Sequence, residues 1–458
     1  MTSLMDGARA EPLRVVILGA GFGGLYAALE LERGLARERN VEVTLVNREN
    51  FVLFTPMLHE VAASDLDLTH IVNPLRKLLR RVRFFEGDVE AIDLERRCVT
   101  VSHGEDHHHH ELPYDQLVLA LGSVTNFYGM PRLERVAMTM KSLGDAIALR
   151  NRLIEQLEEA DFECSAGSRE HLLSVVVAGG GFAGVETIAA VNDFLREALR
   201  HYLHLRPQHL RLVLVHSGEV ILPELGPRLG AYAQRKLAAR GVEIRVRTRV
   251  ADAAAGRVEL NDGTQLPART FVWTAGTAPN PLLDTLPCRR ERGRVVVDEF
   301  LRVPDWPGVW ALGDCAAVPD ATSGGFCPPT AQHALRQGRV LARNLAGATR
   351  GRPPAPFRFS TLGQLAAIGR RTGVARILGV NFSGFVAWWL WRSIYLSKLP
   401  RFEKKLRVAL DWTLDLLFSK DLVQFQTFRS PAVSHQEHAE RPVEVGAASP
   451  VASGVEGA

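Results

Sequence analysis

The chain has 458 residues, 46% of them hydrophobic and 23% charged. That is enough for two to four domains around a large core, and too apolar for bulk disorder. A net charge of +4 gives no general affinity for nucleic acid. The five cysteines, Cys98, Cys164, Cys288, Cys315 and Cys327, show neither CxxC nor zinc spacing. An odd, scattered set fits a reducing compartment and no metal site. The opening MTSLMDGARAEPLR lacks the apolar segment of a secretion signal.

The first elements read strand, helix, strand: Arg14 to Leu18, Leu25 to Leu35, and Val41 to Val46. Between the first two lies Gly19-Ala20-Gly21-Phe22-Gly23-Gly24. The first glycine of such a loop allows the tight turn. The second lets backbone approach a pyrophosphate, and the third lets the helix pack on the strand. The helix N-terminus then presents free N–H groups to the phosphates. Asn47 stands at the end of the second strand, where an acid is expected to bind a ribose diol. Asn still offers an acceptor, without charge assistance.

Residues 82–121 read as a small β-meander, with Val82 to Phe85, Val99 to Val101 and Leu117 to Leu121 as strands. His107 to His110, with His103 nearby, read as a solvated hairpin tip rather than a metal site.

A helix over Leu143 to Ala160 leads to a second copy of the loop. Val175 to Ala178 runs into Gly179-Gly180-Gly181-Phe182-Ala183-Gly184, and Leu210 to Val215 ends at His216. Here too the acid is missing. His216 is either a basic neighbour for a 2′-phosphate or drift at a tolerant position, so NADH and NADPH both stay open. Further on, Val309 to Leu312 ends in Gly313-Asp314, and Pro328-Pro329-Thr330-Ala331-Gln332 opens a helix running to Leu345. Two glycine loops in one chain imply two dinucleotides held together, hence electron transfer between them.

The C-terminal part carries a different signal. Four of the seven tryptophans, Trp388, Trp389, Trp391 and Trp412, fall in residues 381–418, among Arg392, Lys398, Arg401, Lys404, Lys405 and Arg407. Over 402–418, Phe402, Leu406, Ala409, Leu410, Thr413 and Leu417 share one helical face, with Lys404, Arg407, Asp411 and Asp415 opposite. No apolar run is long enough to span a bilayer. Aromatics with basic flanks fit a helix lying in the membrane interface. A dimer interface or a cap on the body is the other reading. Residues 430–458 read as a disordered tail.

The residues resemble the flavoprotein superfamily with two dinucleotide-binding domains, and within it the type II NADH dehydrogenases. The likeness rests on both glycine loops, on Asn50 to Ala62 (NFVLFTPMLHEVA), on Tyr114 to Ser123, and on Leu312 to Asp314 with Ala331-Gln332. It implies an α/β fold of two Rossmann-like dinucleotide-binding domains plus an amphipathic helical C-terminal membrane-binding region. The boundaries are 13–130 with 290–355 for FAD, 131–289 for NAD(P)H, 356–430 for membrane association and 431–458 for the tail.

The resemblance also implies roles. FAD falls to Gly19, Gly21, Phe22, Gly23, Gly24, Asn47, Arg48, Val89, Ala120, Gly122, Gly313, Asp314, Ala331 and Gln332. The nicotinamide cofactor falls to Gly179, Gly181, Phe182, Gly184, Glu186, His216, Ala275 and Gly276. Glu186 either complements the helix dipole or relays protons near the quinone, with a raised pKa if buried. Gln332 and Gln337 match the quinone-bounding Ala-Gln-x-x-x-Gln-Gln segment, with Arg336 in place of its second glutamine. No redox cysteine accompanies the first loop, which sets the chain apart from disulfide and sulfide:quinone reductases. Cys315 reads as a small buried residue, and a Cys315–Cys327 redox pair as the less favoured option.

The implied function is transfer of a hydride from NADH to FAD and of two electrons to a membrane quinone, without proton pumping. The expected place is peripheral, on the cytoplasmic side of the inner membrane, with a homodimer an open option. The other readings are an NAD(P)H reductase of another acceptor and a membrane-anchored nucleotide-binding redox sensor.

Overall fold

The run Val15-Val16-Ile17-Leu18 is buried at every position, as a strand covered on both faces must be. In the computed structural model, which describes residues 11–321 and 324–425, it is the centre of a five-stranded parallel sheet. Across that sheet run Val309–Ala311, Gln116–Leu119, Leu13–Leu18, Val41–Asn47 and Arg83–Glu86. The run Val175-Val176-Val177-Ala178 is equally buried and sits inside a second parallel sheet. Its order is Val242–Arg245, Arg211–Val215, Ser174–Ala178 and Thr270–Trp273. Helices Phe22–Arg33 and Phe182–Ala198 follow the two glycine loops. The fold is thus α/β with a dinucleotide-binding pattern twice over.

The first sheet draws on two separated stretches of chain, because its last strand, Val309–Ala311, arrives only after the second sheet is complete. Residues through Leu422 form one compact unit. Of the unit that begins at Val423, the described residues 423–425 carry no helix or strand. The tail over 431–458 lies outside the described residues.

One sequence expectation needs correction. The single meander over 82–121 is instead three things. Arg83–Glu86 and Gln116–Leu119 join the large parallel sheet, and an antiparallel triplet of Asp88–Asp93, Cys98–His103 and His108–Pro113 stands between them. Short runs of similar apolarity do not distinguish a parallel core strand from a hairpin strand. The C-terminal region carries the expected helices and adds a small sheet before them. Antiparallel strands Gly363–Ala367, Gly373–Ile377 and Val380–Gly384 precede helices Phe385–Lys398 and Phe402–Leu414.

The segment Phe54–Ile71 packs into the core of the second sheet's helices rather than the first sheet's. Met57, Val61 and Ala63 are fully buried against Leu149, Leu153 and Ile188, and Trp391 and Val408 of the C-terminal helices close the same cluster. That packing brings the LHEVA helix, Leu58–Ala62, against helix Phe182–Ala198. Phe194 lies at the centre with no exposed surface. Truncating it by Phe194→Ala should cost about 3–5 kcal/mol. A fall in the midpoint of chemical unfolding, with far-ultraviolet dichroism unchanged in the folded state, checks this.

Candidate active site

The two glycine loops fold to the same cradle. A Cβ on Gly24 would lie 1.9 Å from the Gly19 carbonyl oxygen, and one on Gly184 would lie 1.8 Å from that of Gly179. Each helix therefore sits on its strand at a distance that admits no side chain. Gly19 and Gly179 have φ of +98° and +117°, the left-handed region that glycine tolerates. At Gly21 and Gly181 a Cβ would meet nothing, so the backbone faces open space. No side chain caps either helix N-terminus. Two uncapped N-termini facing open glycine backbone fit the diphosphates of two dinucleotides.

The missing acids have been replaced by one device used twice. Asn47 Oδ1 accepts the Ala20 N–H at 2.8 Å, and its Nδ2 donates to the Glu49 carbonyl. His216 Nδ1 accepts the Gly180 N–H at 3.2 Å. Ala20 and Gly180 hold the same place in their loops. Burial lowers the His216 pKa, and an acceptor Nδ1 requires a neutral ring here. In this arrangement His216 braces the loop through its Nδ1.

Asp314 follows the strand Val309–Ala311 and accepts the Ser123 hydroxyl at 2.8 Å, and Lys141 Nζ in turn donates to Ser123 Oγ at 3.2 Å. Ser123 and Lys141 were not among the sequence candidates as a pair for Asp314. They are distant in sequence, and no local spacing links them. Ala120 is buried behind Gly19, and Gly122 has φ of +68° with open space before it. Phe22 is half-buried and packs edge-on against Phe54. Arg48 is exposed and paired with Asp88, while Val89 lies on the antiparallel triplet opposite Val101. At the second loop, Thr274 Oγ1 donates to the Ala178 carbonyl, Ala275 accepts from the Tyr128 hydroxyl at 3.2 Å, and Tyr128 covers Gly276. Phe182 is half-buried at the helix start.

Thr330 caps helix Ala331–Ala348. Gln337 on this helix is buried, and its Oε1 accepts the Gly313 N–H at 2.8 Å. It braces the Gly313-Asp314 turn, so the expectation that it bounds a quinone is not matched by its contacts. Gln332 Nε2 donates to the Gly363 carbonyl at 2.7 Å. Arg336 donates to the Gln332 carbonyl and stacks its guanidinium 4.0 Å from the Phe359 ring centre. Cys315 is buried, bonds to the Leu119 and Leu312 carbonyls, and has its pKa pushed up to about 11 by burial. Cys315 and Cys327 are both free thiols. The hairpin histidines His103 and His110 stack on each other at the surface. Among the described residues no His/Cys/Asp/Glu group is placed to hold a metal.

Glu186 lies in the second turn of its helix and is buried, so the helix-dipole reading gives way. Its Oε1 accepts from the Ala367 N–H at 3.1 Å and from Trp391 Nε1 at 3.0 Å. Its Oε2 faces His59 Nδ1 at 3.8 Å. Burial pushes the carboxyl up to about 8 and the His59 imidazole down to about 4. Rings at 4.8–6.1 Å run from Phe54 through Tyr395 to Trp391 and on to His59, tying this carboxyl to the Phe22 end of the first loop. Sequence reasoning missed Glu60, a buried neighbour whose pKa is likewise pushed up to about 8 by burial. Its signal was an acid inside an apolar helix, LHEVA, with no partner in sequence.

The C-terminal helices differ from the sequence reading in where several of their tryptophans and basic residues lie. Trp391 and Trp412 are core residues, not interfacial ones, and Arg392 is enclosed between the rings of Trp388 and Trp412. Lys404 is 7% exposed and donates to the Thr69 carbonyl, and Asp411 pairs with His70. The polar face thus grips the body. The apolar face is bare: Phe402 is 80% exposed, Leu406 63% and Leu417 73%. Leu410, Phe418, Phe385 and Trp389 extend the patch. Among the described residues no helix is long and apolar enough to cross a membrane.

With this geometry in hand, comparison with known proteins is specific. Residues 13–338 match the family profile described as pyridine nucleotide-disulphide oxidoreductase, and residues 362–421 match the NDH2 C-terminal domain. The type II NADH:quinone oxidoreductase Ndh of Mycobacterium tuberculosis is 32% identical over 424 residues, covering 89% of each chain. The demethylphylloquinone reductase NdbB of a Synechocystis species is 33% identical over 408 residues, covering 87% of this chain and 95% of its own. Among solved structures, NDH2 of Plasmodium falciparum in complex with NADH superposes with a TM-score of 0.83 at 19% identity, covering 90% of this chain and all of that one.

The Gln337 contact yields a prediction. Gln337→Leu leaves the Gly313 N–H without its acceptor, a loss of about 1–3 kcal/mol. The purified variant should retain less flavin than the parent after desalting, read from the ratio of visible to 280 nm absorbance.

Proposed function

The chain belongs to the pyridine nucleotide-disulphide oxidoreductase family and, within it, to the type II NADH:quinone oxidoreductases; from that premise we propose how its own residues divide the work. When bound, FAD supplies the redox chemistry, taking two electrons from NADH and passing them to a quinone. The single observation that carries the reading is the pair of matching cradles, Gly19–Gly24 and Gly179–Gly184, within one compact unit.

The first cradle holds the FAD diphosphate and the second that of NADH. Asp314, fixed by Ser123 and braced through Gly313 by Gln337, binds flavin hydroxyls as an acceptor. Ala275 and Gly276 border the nicotinamide. Gln332, held by Gly363, and Arg336 bound the quinone end of the site. Glu186 is the proton-holding group, because burial keeps it protonated until pH rises through about 8. Catalysis is mostly positioning. Mixing the purified yellow protein with NADH and a short-chain quinone tests this. Rapid bleaching by NADH and quinone-dependent return of the flavin colour are expected. Bleaching without return would sink the quinone assignment, and no bleaching would favour a sensor.

The bare apolar face of the last helix rests on lipid. Lys398, Arg401, Lys405 and Arg407 surround it; Arg392 and Lys404 turn inward and do not contribute. Each basic group near an anionic surface adds about 1 kcal/mol. The membrane side is the cytoplasmic one, and a second copy of the chain is the other candidate cover for this face. The double substitution Leu406→Glu/Leu410→Glu should lower pelleting with anionic vesicles about tenfold or more. If pelleting is unchanged, another surface binds the membrane.

His216 also sets a nucleotide expectation. A neutral brace neither repels a 2′-phosphate, as a carboxylate does, nor binds it as a cation does. NADH and NADPH should both reduce the flavin. His216→Glu should raise the NADH-to-NADPH ratio of kcat/KM about tenfold. An unchanged ratio would show that this position does not face the adenosine ribose.

A further inference from the structure

A cavity of about 40 Å³ lies behind Glu186. That is room for about two or three waters. Its walls are largely charged. Glu186, His59, Glu60, Asp65, Asp415 and Lys420 line it, together with Arg370, whose side chain is 40% exposed. Lys420 pairs with Asp65 at 2.6 Å, so the cluster is not a set of isolated buried ions. An apolar void would stay dry. A chamber with this lining offers each water several polar partners.

Three observations on the page point to use of this water. First, Glu60 and Glu186 are built alike. Trp412 Nε1 donates to Glu60 Oε2 at 3.0 Å, as Trp391 Nε1 donates to Glu186 Oε1 at 3.0 Å. In each carboxyl the second oxygen is left for a proton. Second, His59 Nε2 is buried and has no partner among the described residues, although the ring lines the chamber together with both acids. Third, the chemistry needs a supply. NADH, quinone and one proton give NAD⁺ and quinol, so every turnover draws one proton from solvent. A carboxyl as buried as Glu186 that passes its proton to a quinone oxygen must regain one through the protein.

We infer that Glu60 is a second proton-holding residue, in series with Glu186 across this chamber, and that the solvent proton consumed in quinone reduction enters by this route. The inference rests on the reading of Glu186 given above. In each cycle the Glu186 O–H bond breaks as the quinone O–H bond forms. A chamber water then hands Glu186 a proton taken from Glu60, and Glu60 recovers one from solvent past Asp65 and Asp415. Electrons travel separately, from NADH to quinone. Glu60 does not touch the quinone, so it acts through Glu186.

The groups facing each acid set its working range. Glu60 feels Arg392, Asp65 and Lys420 together with the Trp412 indole. Glu186 feels the Ala367 N–H, Trp391 and Glu60, with neutral His59 at its open oxygen. Burial outweighs these in both, and both acids stay protonated until pH rises through about 8. Proton supply should then fail on the alkaline side.

Stopped-flow absorbance of the flavin in the full-length holoenzyme separates the steps, using Glu60→Gln, Glu60→Asp and Glu186→Gln. With Glu60→Gln, bleaching by NADH should match the parent. Quinone-driven return of colour should slow about tenfold, and its alkaline decline should begin at lower pH. Added imidazole should restore the rate, and Glu60→Asp should keep most of it. Return at the parent rate and pH profile in Glu60→Gln would overturn the inference. So would a loss in both half-reactions that neither imidazole nor Glu60→Asp repairs, since that marks a structural role. If Glu186→Gln also behaves as the parent, the reading of Glu186 itself has failed. If Glu186→Gln alone is slow, only the series arrangement has failed.

Discussion

Everything in this molecule depends on how closely a helix approaches its strand at two points. At Gly24 and Gly184 the helix backbone comes so near the turn glycine that a methyl group would overlap its carbonyl oxygen. That contact fixes where the helix begins, and therefore where its unsatisfied N–H groups point. The rest of each nucleotide site is arranged around that origin. Asn47 and His216 hold the middle of each loop by its N–H, and Asp314 is delivered beside the first loop by the strand Val309–Ala311.

The contact also explains why the two halves were legible from the amino-acid sequence. Gly19–Gly24 and Gly179–Gly184 stand in local strand–loop–helix patterns, and a local pattern survives without knowledge of the fold. Gln337 was legible as a site residue but not in its contact, since a bond to Gly313 depends on a helix crossing the turn. Glu60, Ser123 and Lys141 were legible least. Each owes its environment to partners distant in sequence, and one buried acid in LHEVA looks no different from a solvated one until Trp412 lies over it.

The C-terminal helices show the limit of helical periodicity as evidence. A wheel drawn over 402–418 separates apolar from polar residues correctly, yet says nothing of which face is inside. Convention puts the apolar face in the core. Here Lys404 and Asp411 find partners at Thr69 and His70, with the buried Val408 and Trp412 as apolar footholds beside them. Polar anchoring of this kind is directional where apolar packing is not. It leaves the hydrophobic surface free while still fixing the helix in one orientation. The same helices lend Trp391 and Trp412 to the interior, so the surface that meets the exterior and the carboxyls at the centre share a common support.

The first sheet is completed late. Its edge strand, Val309–Ala311, and the Asp314 that follows it are translated after the whole second sheet. A nascent chain that has emerged only as far as Trp273 carries all four strands of the second sheet but lacks the strand that completes the first. Closing of the first nucleotide site therefore belongs to the later part of synthesis, when the chain returns to its sheet with Val309–Ala311 and Asp314.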